Sequence, residues 1–282
     1  MSDGSQLARR LARRLGARHA TYSTRTFPDG ETKLTLRGRI TGHAVVVRTS
    51  HPGADSALLQ ALTLVSRAAG EARRVTAVIP YMGYARQDRQ FLAGELVTMR
   101  HVGRLLRCAG ASRVVVVDIH SGEALRCLRG GRNVSAVPAL AAHVIKMGLR
   151  DPVAVSPDAG GARRAAHFAR EAGCGLLVLG KKRDRRTGRV SVSADARDMA
   201  GRDAVIVDDM ISTGGSVAAA ARLLRGAGCR RVHAACTHAL LVGGARTAMR
   251  RAGVSSIIGA NTVPGPASVV DVSGAIAGAI AP

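Results

Sequence analysis

Aromatic residues are few in this sequence: 282 residues include no tryptophan, and tyrosine and phenylalanine occur three times each. Any core must therefore be filled by alanine and aliphatic side chains. The aromatic side chains on which nucleic acid bases stack are nearly absent as well. No apolar run reaches the roughly 18 residues of a membrane-spanning helix, and arginines occupy the N-terminus where a signal peptide has its apolar core. We expect a cytoplasmic protein that binds neither membranes nor nucleic acid.

Cysteine is also scarce. The five cysteines are scattered along the chain, and no two of them have the C-x-x-C spacing. An odd and scattered set indicates neither a disulfide framework nor a zinc site. A reducing compartment fits this pattern, because unpaired thiols persist there.

Acidic residues are outnumbered, with 19 Asp and Glu against 42 Lys and Arg, which gives a net charge of +23. A charge of this size is typical of proteins that bind nucleic acid. Here, however, the arginines are dispersed over predicted helices without interleaved aromatic residues, so we interpret them as solvated helix faces. The resulting positive field would still attract small polyanionic molecules.

Short runs rich in Val and Ile alternate with helical segments rich in Ala, Leu and Arg along the whole chain. This alternation is typical of parallel sheets flanked by helices, so the predicted fold class is α/β. The pattern forms two blocks, which we assign to domains at residues 1–143 and 144–282, and the charged run 181–189 with the alternating residues 190–193 predicts a hairpin or flap. The predicted strands are 45–47, 75–79, 114–117, 153–155, 176–179, 204–207 and 232–235, and the predicted helices are 56–69, 96–108, 161–171, 216–227 and 245–252.

One predicted strand runs into two carboxylates and a glycine turn, since residues 205–217 read VIVDDMISTGGSV. In open α/β sheets ligands bind at the carboxyl ends of strands, where loop N–H groups and the next helix favour anions. Asp208 and Asp209 would repel a phosphate, so we assign them to sugar hydroxyls, which donate hydrogen bonds to carboxylates. A sugar 5-phosphate satisfies both halves of the motif. The phosphate turn consists of Ser212, Thr213, Gly214, Gly215 and Ser216.

These residues resemble the phosphoribosyl-diphosphate-binding motif of type I phosphoribosyltransferase folds. Four further stretches resemble, in order and over nearly the full chain, the ribose-phosphate diphosphokinase (phosphoribosyl pyrophosphate synthetase) family in its shorter, archaeal-like branch. The resemblance implies two type I phosphoribosyltransferase-like domains, each a mainly parallel sheet flanked by helices, with ATP on the N-terminal side and ribose 5-phosphate on the C-terminal side. The stretches are FPDGE at 27–31, PYMGYARQDR at 80–89, DIHS at 118–121 and SPDAGG at 156–161.

The resemblance implies a binding role for each stretch. Arg86, Gln87 and His120 would bind ATP. His120 and Asp158 would hold the Mg²⁺ that bridges ATP and the sugar, and Asp158 offers the oxygen ligand that Mg²⁺ prefers. The family forms homo-oligomers in which a neighbouring subunit completes the adenine pocket. The residues of that contribution would be Phe27, Asp29, Gly30 and Glu31.

The implied reaction transfers the diphosphoryl group of ATP to the 1-hydroxyl of ribose 5-phosphate and yields 5-phosphoribosyl 1-diphosphate and AMP for nucleotide biosynthesis. By resemblance, Lys181 and Arg183 carry the catalytic role, and Arg183 also contacts ribose 5-phosphate. Positive groups suit this role because a protein promotes phosphoryl transfer mostly by neutralising the negative charge on the transferring phosphoryl group.

The chain departs from the family pattern in two places. Ser212 stands where many members carry Asp, and the usual Gln and aromatic residues after His120 are replaced by Glu123, Cys127 and Leu128. These changes argue against secondary metal binding and allosteric control by ADP or phosphate more than against the core reaction. Two alternatives stay open: a catalytically inactive regulatory homologue of the synthetase, and a base phosphoribosyltransferase, which needs the ribose turn but not residues 27–31 or 86–87.

Overall fold

The computed structural model describes residues 5–183, 190–193 and 197–281. The chain divides into two compact units. Unit 1 comprises Met1–Ser135, Thr262–Pro264 and Val272–Pro282, and unit 2 comprises Ala136–Asn261 and Gly265–Asp271. In the described part of the chain no helix is both long enough and apolar enough to cross a membrane.

Unit 1 is built on a four-stranded parallel sheet with the strand order β3-β4-β5-β6, beside a separate antiparallel hairpin, β1-β2. The central strands β4 and β5 are buried almost throughout, as expected for a parallel sheet covered on both faces. Its elements up to the end of the sheet are α1 (Ser5–Arg14), β1 (Tyr22–Thr26), β2 (Thr32–Leu36), β3 (His43–Val47), α2 (Ala54–Ala69), β4 (Arg74–Ile79), α3 (Thr98–Cys108), β5 (Arg113–Val117), α4 (Gly122–Cys127) and β6 (Arg132–Val134).

The core of unit 1 is aliphatic, because α2 and α3 each bury one apolar face against the sheet. Helix α3 buries Met99, Val102 and Leu106. A fourth buried position on this face is Gly103, where a Cβ atom would lie 2.0 Å from the carbonyl oxygen of Cys127. Glycine is therefore required at this position, since any side chain would push α4 away from α3.

Unit 2 contains a six-stranded sheet, all of it parallel, with the strand order β14-β13-β12-β11-β7-β8. A second antiparallel hairpin, β9-β10, belongs to the same unit. The elements are α5 (Val137–Ile145), β7 (Val153–Ser156), α6 (Ala162–Ala172), β8 (Gly175–Val178), β9 (Gly180–Arg183), β10 (Val190–Ser193), β11 (Asp203–Ile211), α7 (Gly215–Gly226), β12 (Arg231–Ala239), α8 (Ala245–Arg251), β13 (Val254–Ala260) and β14 (Ser268–Val270).

The predicted domain division at 143/144 falls within α5. Helix α5 spans that position and belongs wholly to unit 2, because its buried residues Val137, Leu140 and Val144 form an apolar face toward α6. The last helix, α9 (Ser273–Ile280), returns to unit 1 and packs on α1, where the Arg14 Nε donates to the Ser273 Oγ at 2.8 Å. A return of the chain end to the first unit carries no local sequence signal.

The predicted α/β fold with parallel sheets is confirmed, and every predicted strand and helix is present within a few residues of its expected ends. The predicted hairpin at 181–193 is confirmed as β9-β10, whereas the charged residues 184–189 of the predicted flap lie outside the described residues. Prediction missed α1, the β1-β2 hairpin, α4, α5, β6, β13, β14 and α9. Several of these are short or polar, so their hydrophobic periodicity is weak.

Candidate active site

In unit 2 the acidic pair lies near the carboxyl end of β11, which is flanked by β12 and β7 in the parallel sheet. Asp209 is buried, while the Asp208 side chain keeps about 23% of its surface exposed. Backbone N–H groups hold both carboxylates in place: Asp209 N donates to Asp208 Oδ1 at 2.9 Å, and Met210 N donates to Asp209 Oδ1 at 2.9 Å. Sheet geometry thus fixes two adjacent carboxylates at a ligand-binding edge.

Burial and the neighbouring charge of Asp209 raise the pKa of Asp208 to about 7. Two carboxylates this close cannot both ionise freely, so the pair keeps a proton until near neutral pH. Arg164 opposes this effect with its positive charge. Its guanidinium reaches both acids, with Nη1 3.7 Å from Asp208 Oδ1 and Nη2 3.7 Å from Asp209 Oδ2.

Arg164 is a site residue that the sequence reading missed. It lies in the first turn of α6, directly after the SPDAGG stretch. The sequence contained a signal for this residue. The SPDAGG stretch begins at the last residue of β7, which is the sheet neighbour of β11. The helix that follows the stretch therefore starts at the same edge of the sheet as the acidic pair. Among many dispersed arginines, only this geometry distinguishes Arg164.

The phosphate turn begins three residues after Asp209 and leads into α7. Gly214 caps this helix with a left-handed φ of 75°, and a Cβ atom there would lie 2.9 Å from the Met249 Cγ. Val242 N donates to the Ser212 carbonyl at 3.1 Å and so anchors the turn to the next loop. Thr213, Gly215 and Ser216 are exposed, so two hydroxyl side chains are accessible at the start of α7. This arrangement suits a phosphate group.

Asp158 follows β7 and caps the short turn Ala159–Gly161: its Oδ1 accepts a hydrogen bond from Gly161 N at 3.1 Å. The Ser156 hydroxyl donates to the Asp158 carbonyl at 2.6 Å, which fixes the backbone of the same turn. Lys181 and Arg183 lie on β9, where they pair in register with Val192 and Val190. The structure thus places all residues assigned to ribose 5-phosphate, together with Asp158, in unit 2.

In unit 1, Arg86 and Gln87 lie in the loop after β4, and both side chains are exposed. Hydrogen bonds within the loop and to the start of α3 hold it in place. Gln87 N donates to the Tyr84 carbonyl at 2.8 Å, and Met99 N donates to the Gln87 carbonyl at 3.2 Å. The Thr98 hydroxyl donates to Gln87 Oε1 at 2.7 Å, so this amide is oriented by the start of α3.

His120 is exposed in the loop that follows β5. The residues on either side of it are held by side chains from other segments. Ile119 N donates to Asn133 Oδ1 at 2.9 Å, and the Ser121 hydroxyl donates to the carboxylate of Asp88. The structure therefore brings the predicted His120 loop and the predicted Arg86–Gln87 loop together through Asp88.

The FPDGE stretch forms the tip of the β1-β2 hairpin. Phe27 N donates to the Glu31 carbonyl at 2.8 Å, and Gly30 N donates to the Phe27 carbonyl at 2.9 Å. Asp29 accepts from Glu31 N at 3.1 Å, and the Arg25 guanidinium lies 5.0 Å from the centre of the Phe27 ring. Asp29, Gly30 and Glu31 are exposed, so this tip is available to another molecule.

The described residues contain no group of three or more His, Cys, Asp or Glu side chains that could hold a metal ion by themselves. Asp158 nonetheless offers a carboxylate oxygen, the ligand type that Mg²⁺ prefers. This ion usually takes one or two protein ligands, preferably carboxylates, and completes its octahedron with water and substrate phosphates. A single carboxylate such as that of Asp158 is compatible with this mode of binding.

Comparisons with known proteins cover nearly all of the chain. Residues 1–110 match the family model described as the N-terminal domain of ribose phosphate pyrophosphokinase, and residues 128–269 match the phosphoribosyl transferase domain. A ribose-phosphate pyrophosphokinase of Methanopyrus kandleri is 38% identical over 99% of this chain and 96% of its own length. A second, from Archaeoglobus fulgidus, is also 38% identical, over 96% of this chain and 95% of its own. The solved phosphoribosylpyrophosphate synthetase of Mycobacterium smegmatis is 29% identical, with a TM-score of 0.85 over 99% of this chain and 95% of that chain.

Proposed function

The chain belongs to the ribose-phosphate pyrophosphokinase family, and we propose how its residues divide the reaction of that family between them. The enzyme transfers the diphosphoryl group of ATP to the 1-hydroxyl of ribose 5-phosphate. The hydroxyl oxygen forms a bond to the β-phosphorus, and the bond from that phosphorus to the bridging oxygen of the α-phosphate breaks. The products are 5-phosphoribosyl 1-diphosphate, AMP and a proton released to solution.

Ribose 5-phosphate binds to unit 2 in this proposal. The observation that carries it is the acidic pair on β11 beside a glycine turn at the start of a helix. The 2- and 3-hydroxyls donate to Asp208 and Asp209, and the phosphate accepts from the N–H and hydroxyl groups of the turn, residues 212–216. Arg164 offsets part of the charge of the acidic pair and so favours the ionised carboxylates that accept these hydrogen bonds.

ATP binds to unit 1 through Arg86, Gln87 and His120. The guanidinium of Arg86 offers a planar fork of donors that matches phosphate oxygens, and the oriented amide of Gln87 suits a base edge or a phosphate. The exposed hairpin tip supports a homo-oligomer, in which Phe27, Asp29, Gly30 and Glu31 of one copy complete the ATP site of another. A cytoplasmic location also belongs to this proposal, and the five free cysteines support it.

His120 and Asp158 would hold Mg²⁺, which supplies charge neutralisation at the phosphates when bound. Lys181 and Arg183 stabilise the transition state, because positive groups aimed at the transferring phosphoryl oxygens lower the barrier more than they strengthen substrate binding. The match of residues 1–110 to the N-terminal pyrophosphokinase domain argues against a base phosphoribosyltransferase, which needs only the ribose turn.

Lys181→Ala tests the catalytic assignment. We expect AMP release to fall by roughly 100-fold or more, while the dissociation constant for ribose 5-phosphate changes less than about 3-fold, since the lost contact acts mainly in the transition state. AMP release is measured with and without ribose 5-phosphate, and sugar binding by calorimetry. Lys182→Ala is the matched control, because it removes the same charge one residue away.

A Lys181→Ala enzyme that releases AMP at the wild-type rate would contradict the assignment. A wild-type protein that binds ribose 5-phosphate but forms no AMP would instead point to the regulatory homologue. Consumption of 5-phosphoribosyl 1-diphosphate with a nucleobase would identify a base phosphoribosyltransferase.

A further inference from the structure

The buried carboxylate of Asp88 connects two stretches that are far apart in sequence. Its side chain is about 2% exposed and lies between the loop after β4 and the loop after β5. It accepts a hydrogen bond from the Ser121 hydroxyl, and Arg89 Nε lies 3.4 Å from its Oδ1. Burial raises the pKa of Asp88, but the hydrogen bonds from Ser121 and Arg89 outweigh it, so the pKa lies below its usual value and the group is an anion.

A buried anion is costly unless its hydrogen bonds are satisfied, so the position of this carboxylate is closely constrained. On one side, Asp88 directly follows Gln87, whose carbonyl and side-chain amide are held by Met99 and Thr98 at the start of α3. The loop on this side therefore cannot shift without breaking contacts to the helix.

On the other side, Ser121 directly follows His120. The Ser121 Oγ donates to Asp88 and also accepts from Ala124 N at 3.0 Å, which caps α4. Asn133 holds the N–H of Ile119, the residue before His120. The exposed side chain of His120 therefore lies between two residues that are fixed by hydrogen bonds. The Asp88–Ser121 hydrogen bond fixes one of these two residues.

We propose that Asp88 is a positioning residue, which fixes His120 relative to Arg86 and Gln87 through its hydrogen bond with Ser121. The inference rests on the proposed function, in which these three side chains bind the same ATP molecule. A charge-assisted hydrogen bond between two buried groups is strong and directional enough for this task. A displacement of about 1 Å in a group that positions the substrate can lower turnover by roughly 100-fold.

A double-mutant cycle with Asp88→Ala and Ser121→Ala tests the connection. Each single variant is expected to lower kcat by about 10-fold to 100-fold and to weaken ATP binding. The double variant is expected to be no worse than the poorer single variant, because both changes remove the same contact. The affinity for ribose 5-phosphate should stay within about 2-fold of wild type, since that site lies in the other unit.

Conservative variants separate positioning from a loss of structure. Asp88→Asn retains an oxygen that accepts from Ser121, and Ser121→Thr retains the hydroxyl, so each should recover most of the kcat that the alanine variants lose. Glu123→Gln and Arg126→Gln are matched controls. Each removes one partner of a surface ion pair within α4, so both should behave as wild type.

Hydrogen exchange of the backbone N–H groups of residues 118–124, followed by mass spectrometry, gives a readout that does not depend on activity. Exchange should accelerate in Asp88→Ala and Ser121→Ala and remain at the wild-type rate in the two controls. If Asp88→Ala fails to fold, Ser121→Ala with its Thr counterpart carries the comparison.

Additive losses in the double variant, or wild-type kcat together with wild-type exchange in both single variants, would overturn the proposal. A wild-type protein without diphosphoryl transfer would refute the proposed function alone. Exchange would then still report whether Asp88 fixes the His120 loop.

Discussion

Two adjacent aspartates have unequal chemistry in this protein. Asp208 titrates near neutral pH because it is largely buried and lies next to Asp209, while Arg164 contacts both acids. A sugar hydroxyl donates to an ionised carboxylate more strongly than to a protonated one. Binding of ribose 5-phosphate should therefore favour the ionised pair and release a proton.

This coupling predicts a pH dependence of sugar binding. Below pH 7 Asp208 is mostly protonated and has to lose its proton before it can accept fully, so the dissociation constant for ribose 5-phosphate should fall as pH rises from 6 to 8. A fall of roughly 10-fold over this range is expected if sugar binding lowers the pKa of Asp208 from about 7 to well below 6. Calorimetry in two buffers of different ionisation enthalpy measures both the affinity and the proton release.

Asp208→Asn provides the comparison, because the amide has no proton to lose in this range. Part of the pH effect must persist in that variant, since a phosphate monoester itself titrates near pH 6. Equal pH profiles for the two proteins would show that Asp208 does not couple to the sugar.

The join between β11 and α7 forms the proposed phosphate site, and Gly214 shapes its backbone. The left-handed φ of 75° is strained for any residue with a Cβ atom, and that atom would also press on the Met249 side chain. The turn is therefore shaped jointly by its own backbone and by packing from α8.

Gly214→Ala is predicted to lower the free energy of unfolding by roughly 1 to 3 kcal/mol, the usual cost of an unfavourable backbone conformation. It should also weaken ribose 5-phosphate binding, because relief of the strain moves the N–H groups that face the phosphate. Denaturant unfolding and calorimetry measure the two effects.

Gly226→Ala is the matched control for this change. Gly226 ends the same helix, α7, and a Cβ atom there would meet nothing within 4 Å. Alanine should raise helix stability by about 0.5 to 1 kcal/mol and leave binding unchanged. A Gly214→Ala protein with wild-type affinity would show that the turn does not hold the phosphate.

The proposed homo-oligomer would build each ATP site from two copies of the chain. The exposed hairpin tip at 27–31 and Lys181 would then come from different subunits at each site. Asp29→Ala and Lys181→Ala proteins should each be nearly inactive, yet a mixture that exchanges subunits should regain activity, since some sites contain neither change.

For random exchange in a dimer, half of the molecules are mixed and each has one intact site, so about a quarter of wild-type activity should return. Mixing the two inactive proteins with gentle denaturation and renaturation, followed by an AMP assay, measures this recovery. An inactive mixture in which native mass spectrometry shows mixed oligomers would place all site residues in one copy.

Local patterns in the sequence predicted much of this molecule. Runs such as VVVV at 114–117 must be buried, so they identified the strands, and the order DD followed by STGGS predicted a sugar-phosphate turn at the end of one strand. The chemistry of these groups depends on neighbours a few residues away. For this reason the motif residues could be named before their positions in space were known.

Other features came only from the folded chain. Arg164 became a partner of the acidic pair because β7 and β11 are adjacent strands, and Asp88 became a partner of Ser121 because the loops after β4 and β5 meet. The return of α9 to unit 1 is of the same kind. Each depends on contacts between residues that are distant along the chain, and a single sequence does not encode such contacts in any local period or composition. The sequence alone determined which groups are candidates for the chemistry, because motif residues are close together along the chain, and tertiary packing decided which neighbours orient these groups and balance their charge.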